Sequence, residues 1–248
     1  MKKKLKSDKF FDMLYKLYRE NQKIFLSFLI QENDNPKILD LGCSDGEFTK
    51  EISKVLMSNR CFGIETVRKA ASAARKKGIK VKISNLNDKF PYPKGFFDVV
   101  CANQVLEHLW NTHNFLKETN RVLKMGGYAV ISVPNLSSFH SIFLILTGQQ
   151  TTTLHLIDRH VGNLLRGERV VKPNAWKQGE QGHIKAFNVP ALKDLAHIYG
   201  FEVEKLSGFG IYFLPFALQK IMSKILTRYC TFLTMRIRKV KNYKNGLE

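Results

Sequence analysis

The chain has 248 residues, a hydrophobic content of 44% and a formal net charge of +19 at pH 7. This size allows one full α/β core with an insertion or a small appendage and argues against two independent enzymatic domains. The positive charge predicts an anionic partner: a nucleic acid, an acidic membrane surface or a phosphorylated substrate. The four cysteines have neither CxxC nor metal-ligand spacing, and the lysine-rich start lacks a signal-peptide pattern, so we expect a reduced, cytoplasmic protein.

The first predicted element is an N-terminal helix over residues 8–32. Lysines at the start of the chain are followed by apolar side chains at helical spacing, among them Leu17 and Tyr18. The pattern predicts an amphipathic helix with a basic beginning.

Residues 37–47 run from a short apolar strand through a glycine turn into a helix. Gly42 and Gly46 let the backbone bend and approach a ligand closely. This is the pattern of the first βα turn of a doubly wound sheet, where nucleotide-like ligands bind. The turn also carries three carboxylates, which would repel a pyrophosphate and suit a positively charged ligand: Asp40, Asp45 and Glu47.

The same residues resemble motif I of the class I S-adenosylmethionine (SAM) dependent methyltransferases, hydrophobic-hydrophobic-D-x-G-x-G-x-G, with Ser44 in place of the middle glycine. The resemblance implies that SAM is the cofactor. It places cofactor contacts in this turn at Asp40, Gly42, Cys43, Ser44 and Gly46.

Ser44 also creates a G-x-S-x-G pattern, which is typical of the nucleophile elbow of α/β-hydrolases. A hydrolase elbow follows several strands and an oxyanion loop, whereas only a polar, lysine-rich segment precedes Lys37. We therefore interpret Ser44 as a turn residue that offers its backbone to the ligand.

Strand two is predicted over 60–65 and ends at Glu65, about 20 residues after the last glycine of the turn. A carboxylate at this position accepts hydrogen bonds from ribose hydroxyls in NAD as well as in SAM enzymes. The resemblance implies further cofactor contacts next to this acid and after strands three and four, at Thr66, Asn85, Leu86, Asn103 and Gln104. Of these, Asn85 is equally typical of a simple turn.

A second match strengthens the resemblance. Residues 105–109 and 115–127 are similar to the helix and strand-five region of ubiquinone-biosynthesis-type methyltransferases, and residues 182–206 are similar to the following helix and strand six. The resemblance implies a Rossmann-like, doubly wound seven-stranded α/β sheet within a methyltransferase domain at 1–210. Residues 136–182 lack sheet-like alternation and are predicted to be an insertion after strand five, at a lid or substrate site.

Methyl transfer from a sulfonium requires mainly that the acceptor be aligned and water excluded. An oxygen acceptor of high pKa needs a general base, for which histidine is the usual choice. His183 lies where the insertion returns to the family pattern, and His140 lies just after strand five, so these two are the predicted catalytic residues. The alternative for each is a histidine that bonds the backbone and shapes the lid.

The pair Glu107-His108 raises the alternative of a metal site. Related enzymes, including the plant small-RNA 3′-end methyltransferase, carry E-x-x-E-H there and bind a divalent cation. In this chain Gln104 replaces the first acid, which weakens a site for a hard cation. We therefore expect no metal.

The tail, residues 211–248, is predicted to be a basic amphipathic helix that is too interrupted by charge to span a bilayer. Its polar stripe runs from Gln219 to Thr231, its apolar stripe from Leu218 to Leu233, and five basic residues follow from Arg236. Residues 216–241 are the predicted contact with an anionic membrane surface. The alternative is that the apolar face packs on the domain or in a dimer interface.

The sequence thus favours a methyltransferase acting on a small or lipid- or glycan-linked acceptor, on oxygen, in the cytoplasm at the inner face of the membrane. One alternative is an RNA methyltransferase that uses the +19 charge to hold phosphates. We consider nucleic acid the weaker choice because the basic residues are concentrated at both termini. The other alternative is a non-catalytic scaffold, against which the ligand-ready turn argues.

Overall fold

The computed structural model describes residues 6–163, 165, 167 and 182–243. Part of the predicted insertion, including 168–181, and the last five residues of the predicted tail lie outside the described residues. The helices are α1 Lys6–Leu26, α2 Glu47–Val55, α3 Arg68–Lys76, α4 Thr112–Val122, α5 Phe139–Leu146, α6 Val189–Ile198 and α7 Phe216–Ile225. The strands are β1 Ile38–Leu41, β2 Cys61–Glu65, β3 Lys80–Ile83, β4 Phe97–Asn103, β5 Leu123–Pro134, β6 Phe201–Phe209 and β7 Phe232–Lys239.

The seven strands form one sheet in the order β3-β2-β1-β4-β5-β7-β6. The pairs among β1 to β5 are parallel, and β7 is antiparallel to both β5 and β6. The strand order reverses direction at β1, which confirms the predicted doubly wound α/β sheet of seven strands. In such sheets ligands bind beyond the carboxyl ends of the strands at this switch point.

Helices cover both faces of the sheet, and the central strands β1 and β4 are buried on both sides. On one face Phe25 of α1 and Ile52 of α2 are fully buried in one apolar cluster. On the other face Phe115 of α4 and Leu192 of α6 are buried in a second cluster. The sheet therefore forms the middle layer between two helical layers.

The C-terminal segment differs from the prediction. The amphipathic helix ends at Ile225, a short 3₁₀ turn follows, and the continuation of the helix to Leu233 is wrong because β7 begins at Phe232. From there apolar and polar residues alternate, with Leu233, Met235 and Ile237 buried in the core. A period of two indicates a strand, and the boundary predicted at residue 210 therefore falls within the sheet-forming part of the chain.

The basic residues assigned to the membrane contact also differ in their surroundings. Lys239 is only 2% exposed and donates to the carbonyl oxygens of Asn120 and Leu123. Arg238 binds the carboxylates of Glu32 and Glu204. These β7 cations are paired within the fold and are not available to a membrane.

Two further boundaries differ from the prediction. The first helix ends at Leu26 rather than at residue 32. Strand five begins at Leu123, paired with Phe97, so α4 ends before the two glycines that the sequence places at its end. Gly126, with a φ of 77°, instead lies in the irregular start of β5.

Asn135 joins the end of β5 to the segment that enters β7. Its side chain is fully buried and donates to the carbonyl oxygens of Arg228 and Cys230, at 2.8 and 2.7 Å. Asn135→Ala leaves these acceptors without a donor, so we expect a loss of about 2 kcal/mol or more in the free energy of unfolding. Urea denaturation measures it; the control Asn33→Ala, on an exposed residue, should change stability little, and equal midpoints would contradict the prediction.

Candidate functional site

The strand register brings the predicted cofactor residues to one edge of the sheet. Asp40 of β1 lies opposite Gly63 of β2 and Cys101 of β4. Because these strands are parallel, their carboxyl ends meet, and the residues that follow them share one edge. Glu65 ends β2 and Asn103 ends β4 at this edge.

The turn after β1 depends on its two glycines. Gly42 has a φ of +74°, and a Cβ there would lie 2.8 Å from Cγ2 of Val105. Gly46 has a φ of +82°, and its Cβ would lie 2.5 Å from Cδ1 of Ile79. Ser44 also adopts a positive φ, 48°, and its backbone N–H donates to Oε2 of Glu65 at 2.9 Å. The carboxylate that ends β2 therefore holds the turn that follows β1.

The acidic character of the turn comes from only one of the three carboxylates expected there. Asp40 is buried, accepts a 2.6 Å hydrogen bond from the Thr49 hydroxyl, and has its pKa raised to about 7 by burial. Asp45 and Glu47 instead lie on the surface and pair with Lys77. Of the three carboxylates in the turn, only that of Asp40 is buried, and Glu65 is its acidic neighbour across the strands.

Cys43 has a packing role. Its thiol is buried against the strand two backbone, where a Cβ at position 63 would come within 2.4 Å of Sγ. Burial raises the pKa of the thiol well above its ordinary value. The cofactor contact of Cys43 stays a prediction, and it would involve the backbone of this residue.

The residues after β3 lie beside Glu65, because Glu65 pairs with Ile83. Asn85 is exposed, and its Oδ1 accepts hydrogen bonds from the backbone and side chain of Asn87. This is the turn-forming role that the sequence left open for Asn85. Leu86 is 6% exposed and belongs to the core cluster, and the adenine contacts of both residues stay predictions.

The end of β4 carries an unpaired acceptor. Oδ1 of Asn103 is buried and has no hydrogen-bond partner among the described residues, while Nδ2 donates to the hydroxyl of Tyr18 at 3.3 Å. Gln104, with a φ of 57°, donates from Nε2 to the hydroxyl of Ser132 at 3.0 Å. Nδ2 of Asn21 on α1 donates to the same serine hydroxyl at 2.7 Å.

Helix α1 therefore packs against the ends of β4 and β5, and its contacts through Tyr18 and Asn21 are ones that the sequence analysis does not predict. The prediction placed Tyr18 in the apolar stripe of the helix. The sequence did contain an indication of a polar role: Asn21 and Gln22 lie within one helical turn of Tyr18, and a buried tyrosine hydroxyl needs a hydrogen-bond partner.

The two predicted catalytic histidines are placed apart. His140, on α5, packs edge-on against Tyr212 with ring centroids 4.4 Å apart, and burial lowers its pKa to about 4. His183 stacks on His155 at 4.4 Å, and burial, with neighbouring His108, lowers its pKa to about 3. Both imidazoles are therefore neutral at pH 7 and are weak bases.

His183 belongs to a polar cluster with Glu107 and His108, which follow β4. The carbonyl of Glu107 accepts from the backbone N–H groups of Ile184 and Lys185, at 2.9 and 3.0 Å. This pairing brings residues distant in sequence together, so that one side-chain ligand atom from each of the three lies within 4.8 Å of the others. The sequence analysis does not predict Glu107 as a site residue. The feature that could have identified it is the pair Glu107-His108, which resembles a metal-binding motif.

The fold and the pocket define a class I SAM-dependent methyltransferase, and sequence comparison agrees. A profile described as a methyltransferase domain matches residues 13–206. The chain therefore belongs to this methyltransferase family, and SAM is its cofactor. This assignment replaces the hydrolase alternative raised by Ser44.

Individual relatives are similar over part of their length. An uncharacterised methyltransferase of Schizosaccharomyces pombe is 33% identical over 149 residues, 53% of this chain and 54% of that protein. The ubiquinone biosynthesis O-methyltransferase of Pelagibacter ubique is 26% identical over 161 residues, 62% of this chain and 64% of that protein. The matches to the first three curated relatives cover 54%, 39% and 62% of those proteins.

Solved structures show the same fold. A SAM-dependent methyltransferase from Mesorhizobium loti has a TM-score of 0.59 at 19% identity, covering 87% of this chain and 96% of that one. A geranyl diphosphate C-methyltransferase from Streptomyces coelicolor, solved with S-adenosyl-L-homocysteine, has a TM-score of 0.56 at 14% identity, covering 92% and 82%.

The pocket residues fit SAM. The close approach at Gly42 and Gly46 leaves no room for side chains, the buried carboxylate of Asp40 suits a cationic ligand, and Oδ1 of Asn103 offers an unused acceptor. Bound SAM supplies an electrophilic methyl group. The chain's own residues orient it and exclude water.

Glu65→Gln tests the predicted ribose contact. The substitution removes the negative charge but keeps the shape, and a hydrogen bond to a charged group contributes about 1.5–3 kcal/mol, so we expect SAM to bind roughly tenfold or more weakly. Isothermal titration calorimetry measures the affinity, with Glu202→Gln, an exposed acid on β6, as the matched control. Equal affinities for Glu65→Gln and the control would contradict the contact.

Proposed function

We propose that this methyltransferase transfers the methyl group of SAM to an oxygen of a small acceptor that is linked to a lipid or a glycan and is reached at a membrane surface. The observation that carries the proposal is a set of exposed apolar side chains at the edge of the sheet that holds the cofactor pocket. We call this set the apolar edge surface: Phe143, Ile145 and Leu146 of α5, Phe213 before α7, and Leu218, Ile221 and Ile225 of α7.

The sheet register supports this location. Pro134 of β5, Phe232 of β7 and Phe209 of β6 lie side by side at the carboxyl end of β5. Helix α5 follows β5, and α7 lies between β6 and β7, so both leave the sheet at this edge. Phe139 at the start of α5 contacts Phe213 and stacks on Tyr229 at 5.0 Å, which ties the two segments together.

The orientation of α7 is the strongest argument against the alternative that its apolar face packs on the domain. Gln219 is 3% exposed: its Oε1 accepts from the Ile211 N–H, and its Nε2 donates to the Leu214 carbonyl. Ser223 is buried on the same side, whereas Ile221 and Ile225 are 61% and 70% exposed. Gln219 and Ser223 thus face the domain, while Ile221 and Ile225 face outward, as the apolar residues of a helix at a membrane interface do.

The positive charge on and after α7 favours an anionic membrane as the partner. Lys220, Lys224 and Arg228 are exposed among the apolar residues of α7 and the turn that follows it. The sequence contains no acid between Lys205 and Leu247. Each such cation near an anionic surface contributes about 1 kcal/mol of attraction. No helix among the described residues is long and apolar enough to cross a bilayer.

Relatives support the acceptor class. Two of them are named as O-methyltransferases: the ubiquinone biosynthesis enzyme and a malonyl-[acyl-carrier protein] O-methyltransferase of Legionella pneumophila, 28% identical over 144 residues, 55% of this chain and 51% of that protein. Oxygen is therefore the acceptor atom that we propose. His140 is the proton acceptor that we propose, because it is neutral at pH 7, whereas His183 is engaged in a polar cluster with Glu107 and His108.

The acceptor class is tested with methyl-labelled SAM. We expect the purified protein, incubated with a cell extract, to place label in the organic-solvent fraction, and Glu65→Gln to reduce that label while Glu202→Gln does not. Base hydrolysis or ether cleavage of the labelled product identifies an oxygen-linked methyl group. Label recovered in RNA instead would contradict the proposal and support the nucleic-acid alternative.

Membrane contact is tested by flotation with phosphatidylglycerol-containing liposomes. We expect the triple variant Leu218→Ser/Ile221→Ser/Ile225→Ser to lose flotation, because it removes apolar area that would insert at the interface. The matched control Met57→Ser/Met125→Ser/Ile198→Ser changes residues of similar exposure elsewhere and should float like the unmodified protein. Undiminished flotation of the α7 variant would contradict the proposed surface.

A further inference from the structure

The polar cluster of Glu107, His108 and His183 has no role in the pocket residues described above. It lies shortly after β4, next to Gln104 at the cofactor edge, and is completed by the segment that precedes α6. One ligand-type atom of each residue lies within 4.8 Å of those of the other two. Three groups that commonly bind metal thus converge from two distant parts of the sequence.

Glu107 gives an independent indication of a ligand. The residue is fully buried, and neither carboxylate oxygen has a hydrogen-bond partner among the described residues. A buried carboxylate is normally paired, hydrogen-bonded or bound to a metal. Two other buried acids of this edge follow the rule: Asp40 accepts from the Thr49 hydroxyl, and Glu65 accepts from the Ser44 N–H. The buried carboxylate of Glu107 therefore points to a cation as its partner.

The two imidazoles are held as metal ligands usually are. Nδ1 of His108 lies 3.3 Å from the Gly182 carbonyl, and Nδ1 of His183 lies 3.2 Å from the Thr153 carbonyl. A ring that donates from Nδ1 to a carbonyl carries its lone pair on Nε2, and such backbone bonds fix the tautomer and orientation of metal-ligating histidines.

The insertion reinforces this arrangement. Two hydrogen bonds join His155 and His183: the His183 N–H donates to the side-chain Nδ1 of His155, and the His155 N–H donates to the His183 carbonyl. The two rings stack at 4.4 Å. His155, a residue of the insertion, therefore fixes the position of the His183 ring beside Glu107.

We propose that Glu107, His108 and His183 bind one divalent transition-metal ion. Two nitrogen ligands and one carboxylate suit zinc or ferrous iron better than magnesium, which takes oxygen ligands. Three protein ligands leave coordination positions open for water or for the oxygen atoms of an acceptor. The expectation of no metal rested on the loss of an acid at Gln104, and His183 supplies the third ligand instead.

The proposal is tested by metal binding, which does not depend on the acceptor or on the membrane contact. The full chain is stripped with a chelator, incubated with Zn²⁺, Co²⁺ or Mg²⁺ and passed through gel filtration before elemental analysis. We expect about one Zn²⁺ or Co²⁺ per chain, no retained Mg²⁺, and a Co²⁺ absorption spectrum with nitrogen ligation. A rise in thermal midpoint should accompany Zn²⁺ binding.

Matched variants locate the ion. Glu107→Gln and His183→Gln should retain less than one tenth of the stoichiometric metal, whereas Glu202→Gln and His113→Gln, on exposed residues, should retain all of it. Circular dichroism checks that each variant is folded, and His108→Gln serves as a second ligand variant if one is not. Absence of stoichiometric metal, or equal retention by ligand and control variants, would overturn the proposal.

Discussion

The parallel pairing of β1 with β2 and β4 is the constraint on which the whole site depends. It sets Asp40 between Gly63 and Cys101, so that the chain leaves all three strands at one edge. The pairing also requires Gly63, because any Cβ there would collide with the Cys43 thiol. Once the turn is packed in this way, Glu65 reaches the Ser44 N–H and fixes the glycine turn against strand two. The cofactor pocket is thus a consequence of strand register.

The parts of the fold that follow from local patterns were predictable from the sequence. The short apolar run of β1, the two glycines of positive φ and the acid ending β2 lie within one βαβ unit, so their spacing alone indicates the turn. Glu65 was placed correctly at the end of strand two for this reason. The doubly wound order followed from the family resemblance, and the sheet confirms it.

The parts that depend on distant contacts were not predictable. The helical pattern of the tail extends over β7 in the sequence because Leu233 fits both a period of 3.6 and a period of two. The pairing of Leu233 with Val133 and Gly208 is what makes this segment a strand. The inward side of α7 is set by Gln219, whose partners lie in the preceding loop. Likewise, nothing in the sequence places Glu107 beside His183, because their approach depends on backbone hydrogen bonds between two loops.

Charge is divided between the surface and the interior of this molecule. Exposed lysines such as Lys220 and Lys224 of α7 contribute to the net charge of +19, whereas the edge of the sheet buries the acids Asp40 and Glu107. Burying a carboxylate costs free energy, and burial raises the pKa of Glu107 to about 8. Hydrogen bonds or a cation must compensate this cost, as the Thr49 hydroxyl does for Asp40. Exposed cations and buried acids are thus separated in the structure, so that the proposed anionic partner would meet the outer surface, and cationic SAM the buried carboxylate of Asp40.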